Sequence, residues 1–294
     1  MTQSIGDIQI DRVIESEGPE FLASFLLPDA TPEKLDPHRH WLEPRFLDPA
    51  TQKLVMCVQT YVIRTGGRTI LVDTCVGNHK KRRFHPDWNE KTSSTWLDEL
   101  SAIGVNPEQV DYVMCTHLHT DHVGWNTKLL NGKWVPTFPN AKYIFAKKEW
   151  DYWEQTNQKG AKYSDGSIND SVLPVIEAGQ VQFVESDYQF NDQIFFEPTP
   201  GHTLGHVTIN LTSAGNVGVI SGDVLHSPVQ CAEPDWCSAG CIDKSMSRLT
   251  RRSFLERYCE TNTRILTAHF PSPSGGLIKA KGSAFEFVFQ PGSR

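Results

Sequence analysis

Between residues 116 and 124 the chain reads Thr116-His117-Leu118-His119-Thr120-Asp121-His122-Val123-Gly124, and this run restricts the possible folds more than any other feature. Three imidazoles and a carboxylate fall within six residues, directly after an apolar stretch at 110–115 that predicts a buried strand. In a tight loop leaving that strand, His117 and His119 point one way while Asp121 and His122 turn towards a second position. Imidazole with carboxylate is a donor set suited to Zn²⁺, and also to Fe or Mn. The fold must therefore carry a donor-rich loop at a strand end.

The remaining periodicity says what kind of fold that is. Apolar runs at 54–64 and 69–73, joined by Thr65-Gly66-Gly67-Arg68, predict a hairpin. Trp96, Leu97, Leu100 and Ile103 recur at helical spacing, with Gly104 placed to end the helix. Further strands are predicted at 142–146, 181–185, 194–197, 207–211, 217–221 and 264–267, with helices at 147–154 and 245–259. Helices and strands interleave, yet hairpins are frequent, which predicts an α/β architecture with mixed sheets rather than a doubly wound parallel one. Residues 1–50 read as an N-terminal strand and a Pro-rich arm, extended from 27 to 50, and residues 51–294 as a catalytic core. With no linker and no repeat, 1–294 is expected to be a single domain.

Composition removes several function classes. A net charge of −7 gives no electrostatic basis for binding nucleic acid or an anionic membrane. The first residues, Met1-Thr2-Gln3-Ser4-Ile5-Gly6-Asp7, show neither the basic nor the apolar region of a secretory signal, and no apolar run is long enough to span a bilayer. Seven cysteines at scattered spacings suit a reducing compartment, so a cytoplasmic location is expected. Cys231, Cys237 and Cys241 match no zinc-finger or redox spacing and read as free thiols. Lys80-Lys81-Arg82-Arg83 reads as a solvated loop, and His38 and His40 as exposed residues of the arm.

The His-x-His-x-Asp-His run resembles the signature of the metallo-β-lactamase superfamily, and the motifs that follow it there occur here in the same order. Pro198-Thr199-Pro200-Gly201-His202-Thr203-Leu204-Gly205-His206 resembles the third, Ser221-Gly222-Asp223 the fourth and Ala268-His269 the fifth. Asp73, in Leu71-Val72-Asp73-Thr74, matches an aspartate that stands behind the ligands in that family. The resemblance covers about residues 55 to 270. It implies a four-layer αββα sandwich of two mixed β-sheets holding two Zn²⁺ ions, or Fe or Mn in their place. By that resemblance His117, His119 and His202 hold one ion and Asp121, His122 and His269 the other, with Asp223 bridging. A hydroxide shared by the ions would be the nucleophile, Asp121 would orient it, and Asp73 would fix the tautomer of a ligand histidine.

Among the branches of that family, the lactonases, arylesterases and methyl-parathion-hydrolase-like enzymes are most similar. Asp223 and the absence of a visible export signal argue against true β-lactamases, and His119 argues against the flavodiiron proteins, which carry Glu there. The implied function is hydrolysis of a small-molecule lactone or carboxylic ester, with phosphotriester hydrolysis as the alternative and a non-catalytic or redox role further behind. One departure is His226, at a position where quorum-sensing lactonases place a carbonyl-assisting Tyr. It is expected to serve as a catalytic donor alongside Asp121 and Asp223. Trp125, Phe270, Phe84 and Trp88 are expected to wall a substrate pocket. A homodimer is compatible with this reading.

Overall fold

The computed structural model describes residues 3–160 and 164–290. The chain divides into two compact units, Met1–Glu15 with Val58–Tyr188 and Ser16–Cys57 with Gln189–Arg294. Both alternate strands and helices, as the periodicity predicts.

A seven-stranded sheet organises the first unit, in the order β1 (Gln3–Ile5), β2 (Ile8–Leu22), β3 (Lys53–Thr65), β4 (Arg68–Val72), β5 (Tyr112–Met114), β8 (Lys142–Ala146), β9 (Val181–Val184), while β6 (Thr127–Leu130) and β7 (Lys133–Pro136) form a separate hairpin. β3 and β4 pair antiparallel around the expected Gly66-Gly67 turn. β4, β5, β8 and β9 then run parallel. Parallel neighbours end at the same edge, so the residues after β4 and β5, beginning with Asp73 and with Cys115-Thr116-His117, emerge side by side.

The second unit holds a six-stranded sheet in sequential order: β10 (Ile194–Pro198), β11 (Val207–Ser213), β12 (Asn216–Ile220), β13 (Arg264–Leu266), β14 (Gly275–Lys281) and β15 (Ala284–Phe289). β12 and β13 are parallel and the other pairs antiparallel, so this sheet is also mixed. β10 reaches β12 through two antiparallel steps and therefore runs in the same sense. The loops carrying His202, Asp223 and His269 thus leave one edge of one sheet.

Three expectations need correction. The arm is not extended: short helical turns at Ala23–Leu26, Pro32–Leu35, Asp36–His38 and Arg39–Leu42 fold it back on itself. Leu27, Leu35, Leu42, Phe46 and Leu47 bury themselves there with Val229 and Trp236. Pro32 sits in the first turn of its helix, where a missing N–H costs nothing, so a proline there opens a helical turn. The C-terminal hairpin β14–β15 has no counterpart among the predicted strands, because β14 and the edge strand β15 are both partly exposed and carry a weak alternation. Finally, the basic run is not a solvated loop. Lys81 and Arg83 are exposed, but Lys80 and Arg82 are fully buried. Arg82 donates two parallel hydrogen bonds to Asp170, at 2.8 and 2.9 Å, and Lys80 Nζ donates to Thr127 Oγ1 at 2.6 Å and to the Asp170 carbonyl at 3.0 Å.

Among the described residues, no helix is long and apolar enough to cross a membrane.

Candidate metal centre

In the first unit the donor loop is set by one carboxylate. Asp73, at positive φ just past β4, accepts from the Thr116 N–H at 2.8 Å and from the Thr116 hydroxyl at 2.9 Å, and its Oδ2 lies 2.9 Å from His122 Nδ1. The Thr116 hydroxyl proton is spent on Asp73, so Oγ1, 3.1 Å from His117 Nδ1, accepts from that nitrogen. Both His117 and His122 therefore carry their proton on Nδ1 and keep the Nε2 lone pair for a ligand, the arrangement that partners behind metal-binding histidines impose. His117 Nε2 and His119 Nδ1 face each other at 3.0 Å, and a shared cation would satisfy both. Asp121 Oδ2 lies 3.6 Å from His122 Nε2.

The loop has two further supports that sequence reasoning missed. Glu149, buried in the helix Lys147–Gln158, accepts from the Leu118 N–H at 3.0 Å and from Trp153 Nε1 at 2.7 Å, and the Trp153 ring stands edge-on to His119 at 5.4 Å. The only signal was the four-residue spacing of Glu149 and Trp153. On the other side, Gly124 lies so close to Val76 that a Cβ would come within 1.9 Å of the Val76 carbonyl. His85 was also missed. Burial holds it below the usual imidazole range, while the Asp121 carboxylate pulls it upward.

In the second unit Asp223 is the centre. Its Oδ2 lies 3.1 Å from His202 Nε2 and its Oδ1 lies 3.0 Å from His269 Nε2. One carboxylate oxygen for each imidazole is the layout a bridging ligand needs. Behind them, His269 Nδ1 lies 3.0 Å from the Cys57 carbonyl, and His202 Nδ1 lies 3.5 Å from Cys241 Sγ. His206 has both ring nitrogens engaged, one with Thr199 Oγ1 at 2.8 Å and one accepting from the Asp223 N–H at 2.9 Å, which makes it a support. Gly201, at φ +129°, seats the loop on the helix Lys244–Tyr258, where a Cβ would meet the Ser247 nitrogen at 2.2 Å. His226 is only 4% exposed, and its Nε2 lies 3.2 Å from Asp223 Oδ2. Burial holds it below the usual imidazole range against the pull of Asp223.

The residues expected to wall a pocket are differently placed. Trp125 is buried, stacks on Trp96 at 5.2 Å and donates its indole N–H to Glu15 at 2.8 Å. Phe270 packs edge-on against Phe287 in the core of the second unit. Both are core residues, because aromatics beside ligand loops also fill the space beneath them. Trp88 is buried against His85 at 4.3 Å, and Phe84 is 64% exposed.

Donor chemistry, tautomers held from behind and a carboxylate with one oxygen for each of two imidazoles all fit metal ions. The comparisons agree with this class of protein. The metallo-β-lactamase superfamily profile matches residues 58–280, and the chain belongs to that superfamily. An N-acyl homoserine lactonase of Bacillus cereus is 25% identical over 162 residues, 52% of this chain and 57% of the relative, so the chain spans little more than half that relative's length. Two solved structures share the fold over nearly their whole length. The hydrolase AbOPH of the beta lactamase superfamily has a TM-score of 0.81 at 23% identity, covering 98% of this chain and 96% of its own. The dizinc quorum-quenching lactonase AidC has a TM-score of 0.78 at 22% identity, covering 100% and 97%.

The hydrogen bonds of Asp73 carry a direct prediction. Asp73→Asn places an amide where His117, through Thr116, and His122 both need an acceptor. Metal affinity, read by chelator competition, is expected to weaken by about 10–100-fold, the usual effect of losing a partner behind a ligand. Unchanged affinity would remove Asp73 from this role.

Proposed function

We propose that the chain is a dinuclear metal-dependent hydrolase of lactones or carboxylic esters. In this reading, which follows the order of the motifs, His117, His119 and His202 hold one ion, Asp121, His122 and His269 the other, and Asp223 bridges. The observation that carries it is Asp223, with one oxygen facing His202 and the other facing His269. Zn²⁺ is the ion proposed, on the strength of the imidazole-rich donors and of a structural neighbour described as dizinc.

Two such ions, when bound, polarise a carbonyl oxygen and bring the pKa of a coordinated water towards neutrality. The protein's own part is positional. Asp73 and the Cys57 carbonyl hold ligand tautomers, and Asp121, less buried than Asp223, takes up and returns the proton as the leaving group departs. His226 is assigned to hold Asp223 through Nε2, a change from the carbonyl-assisting role expected from its position in the sequence. Substrate is read as a small neutral lactone or ester, first of all the N-acyl homoserine lactone named for the Bacillus relative.

The test couples metal content to a substrate panel. Protein purified without chelator is expected to carry about two transition-metal equivalents per chain. It should hydrolyse acyl homoserine lactones or aryl esters with a higher kcat/KM than a phosphotriester. A reproducible maximum of one equivalent after metal supplementation would refute the dinuclear reading, and triester turnover above every ester and lactone would move the chain to the alternative class.

A further inference from the structure

The second unit holds a cavity of about 540 Å³ that none of its candidate metal ligands lines. Small-molecule sites typically enclose about 300–1,000 Å³. The cavity follows β15, the outermost strand of the six-stranded sheet. β14 pairs antiparallel with β13, so the turn after Lys281 lies at the opposite end of the sheet from the loop that carries His269. The cavity extends from Phe289 to that turn. Phe285, Phe287 and Phe289 alternate along β15 and share one face. The arm contributes Trp41 and Phe46, and the Phe46 ring stacks on Phe289 at 5.1 Å.

The two ends of the cavity differ in charge. At the turn, Lys281 Nζ lies 2.9 Å from Glu286 Oε2, and the two charges offset each other. At the other end, the Arg45 guanidinium lies over the Phe289 ring at 4.4 Å and the Phe46 ring at 5.0 Å, which holds its plane. Its one hydrogen bond among the described residues runs from Nη2 to the Ser272 carbonyl at 3.2 Å, and it meets no carboxylate there. A guanidinium has five N–H donors in a planar fork, so most of that fork is available to an anion. Of the two histidines on the wall, His38 lies 3.0 Å from Glu233 and His40 is exposed.

We propose that this cavity binds a small aromatic carboxylate, with its ring among the aromatic side chains and its carboxylate on Arg45. Aromatic walls favour a flat aromatic body, which stacks offset or edge-on against them. A guanidinium takes a carboxylate through two parallel hydrogen bonds. An organic cation would be repelled by Arg45, and a neutral compound would leave that charge without a partner. The inference does not depend on the metal reading, because the arm and β15 build the wall. No local pattern announces the site: Arg45 belongs to the arm and Phe289 to the last strand.

The test is calorimetric titration of the full chain, loaded with Zn²⁺, with 2-naphthoate, 2-naphthylmethanol and 2-naphthylmethylammonium. Naphthoate is expected to bind about tenfold or more tightly than the alcohol, the usual worth of a hydrogen bond to a charged group, and the ammonium is expected not to bind. Arg45→Gln should remove that advantage, and Arg45→Glu should shift the preference to the ammonium. Arg45 is exposed, so both variants should fold. Ala284→Trp, which fills the cavity from β15, should lose naphthoate binding. All three variants should keep the parent's zinc content, which separates this site from carboxylate binding at a metal. Naphthoate binding unchanged in Arg45→Gln or in Ala284→Trp overturns the proposal, as does an alcohol that binds as tightly as the acid. Decanoate binding more tightly than naphthoate overturns the aromatic class of ligand.

Discussion

Asp223→Ala is expected to remove metal and activity together. Asp223 faces two candidate ligands, with Oδ2 towards His202 and Oδ1 towards His269, and His226 also leans on Oδ2. Without it, three buried imidazoles lose the carboxylate they face, and the cations proposed there lose the ligand they share. Elemental analysis should fall from about two equivalents to less than one. The loss in kcat/KM should exceed about 10²-fold, the upper end for residues that only stand behind a ligand. A variant at His206, whose ring nitrogens are spent on Thr199 and the Asp223 N–H, is the control: it should lower metal affinity without abolishing it. Full occupancy and turnover in Asp223→Ala would show that the bridge is elsewhere.

The largest expected effect on stability lies away from the ligands, at Asp170. Its carboxylate receives both Arg82 hydrogen bonds, its Oδ1 lies 3.6 Å from Lys80 Nζ, and both cations are fully buried. Asp170→Ala leaves the Arg82 charge buried, with the Lys81 and Asp165 carbonyls as its partners among the described residues. Removing one member of a buried ion pair costs about 3–5 kcal/mol, which for a chain of this size is a fall of roughly 5–8 °C in Tm. Lys80→Met should be far milder. Burial already pushes the Lys80 ammonium down to about 7, so its charge is poorly tolerated where it stands, and without it Asp170 still receives both Arg82 hydrogen bonds. Thermal melts of the two variants decide the matter: equal losses would mean that shape rather than charge holds this region.

Much of the chain was legible from its residues. The hairpin around Gly66-Gly67, the strand at Lys142–Ala146 and the helix at Lys244–Tyr258 follow the periodicity closely, because local alternation and helical spacing record which face is buried. The Pro-rich arm was read as extended, although Pro32 opens a helical turn and the leucines around it form a core. Trp125 and Phe270 were misread because nearness in sequence to a ligand says nothing of which way a ring points.

By itself the sequence determined the family, the mixed-sheet α/β class and the donors to consider. Those rest on short-range order, with donors that follow the ends of strands and keep their sequence from His117 to His269. Only the tertiary structure decided what those donors lean on. The partners lie far apart along the chain, 88 residues between Arg82 and Asp170, 39 between His202 and Cys241, and 212 between His269 and Cys57. Which buried charge meets which carboxylate, and which thiol meets which imidazole, is set when separate strands and loops pack. No local pattern carries that information.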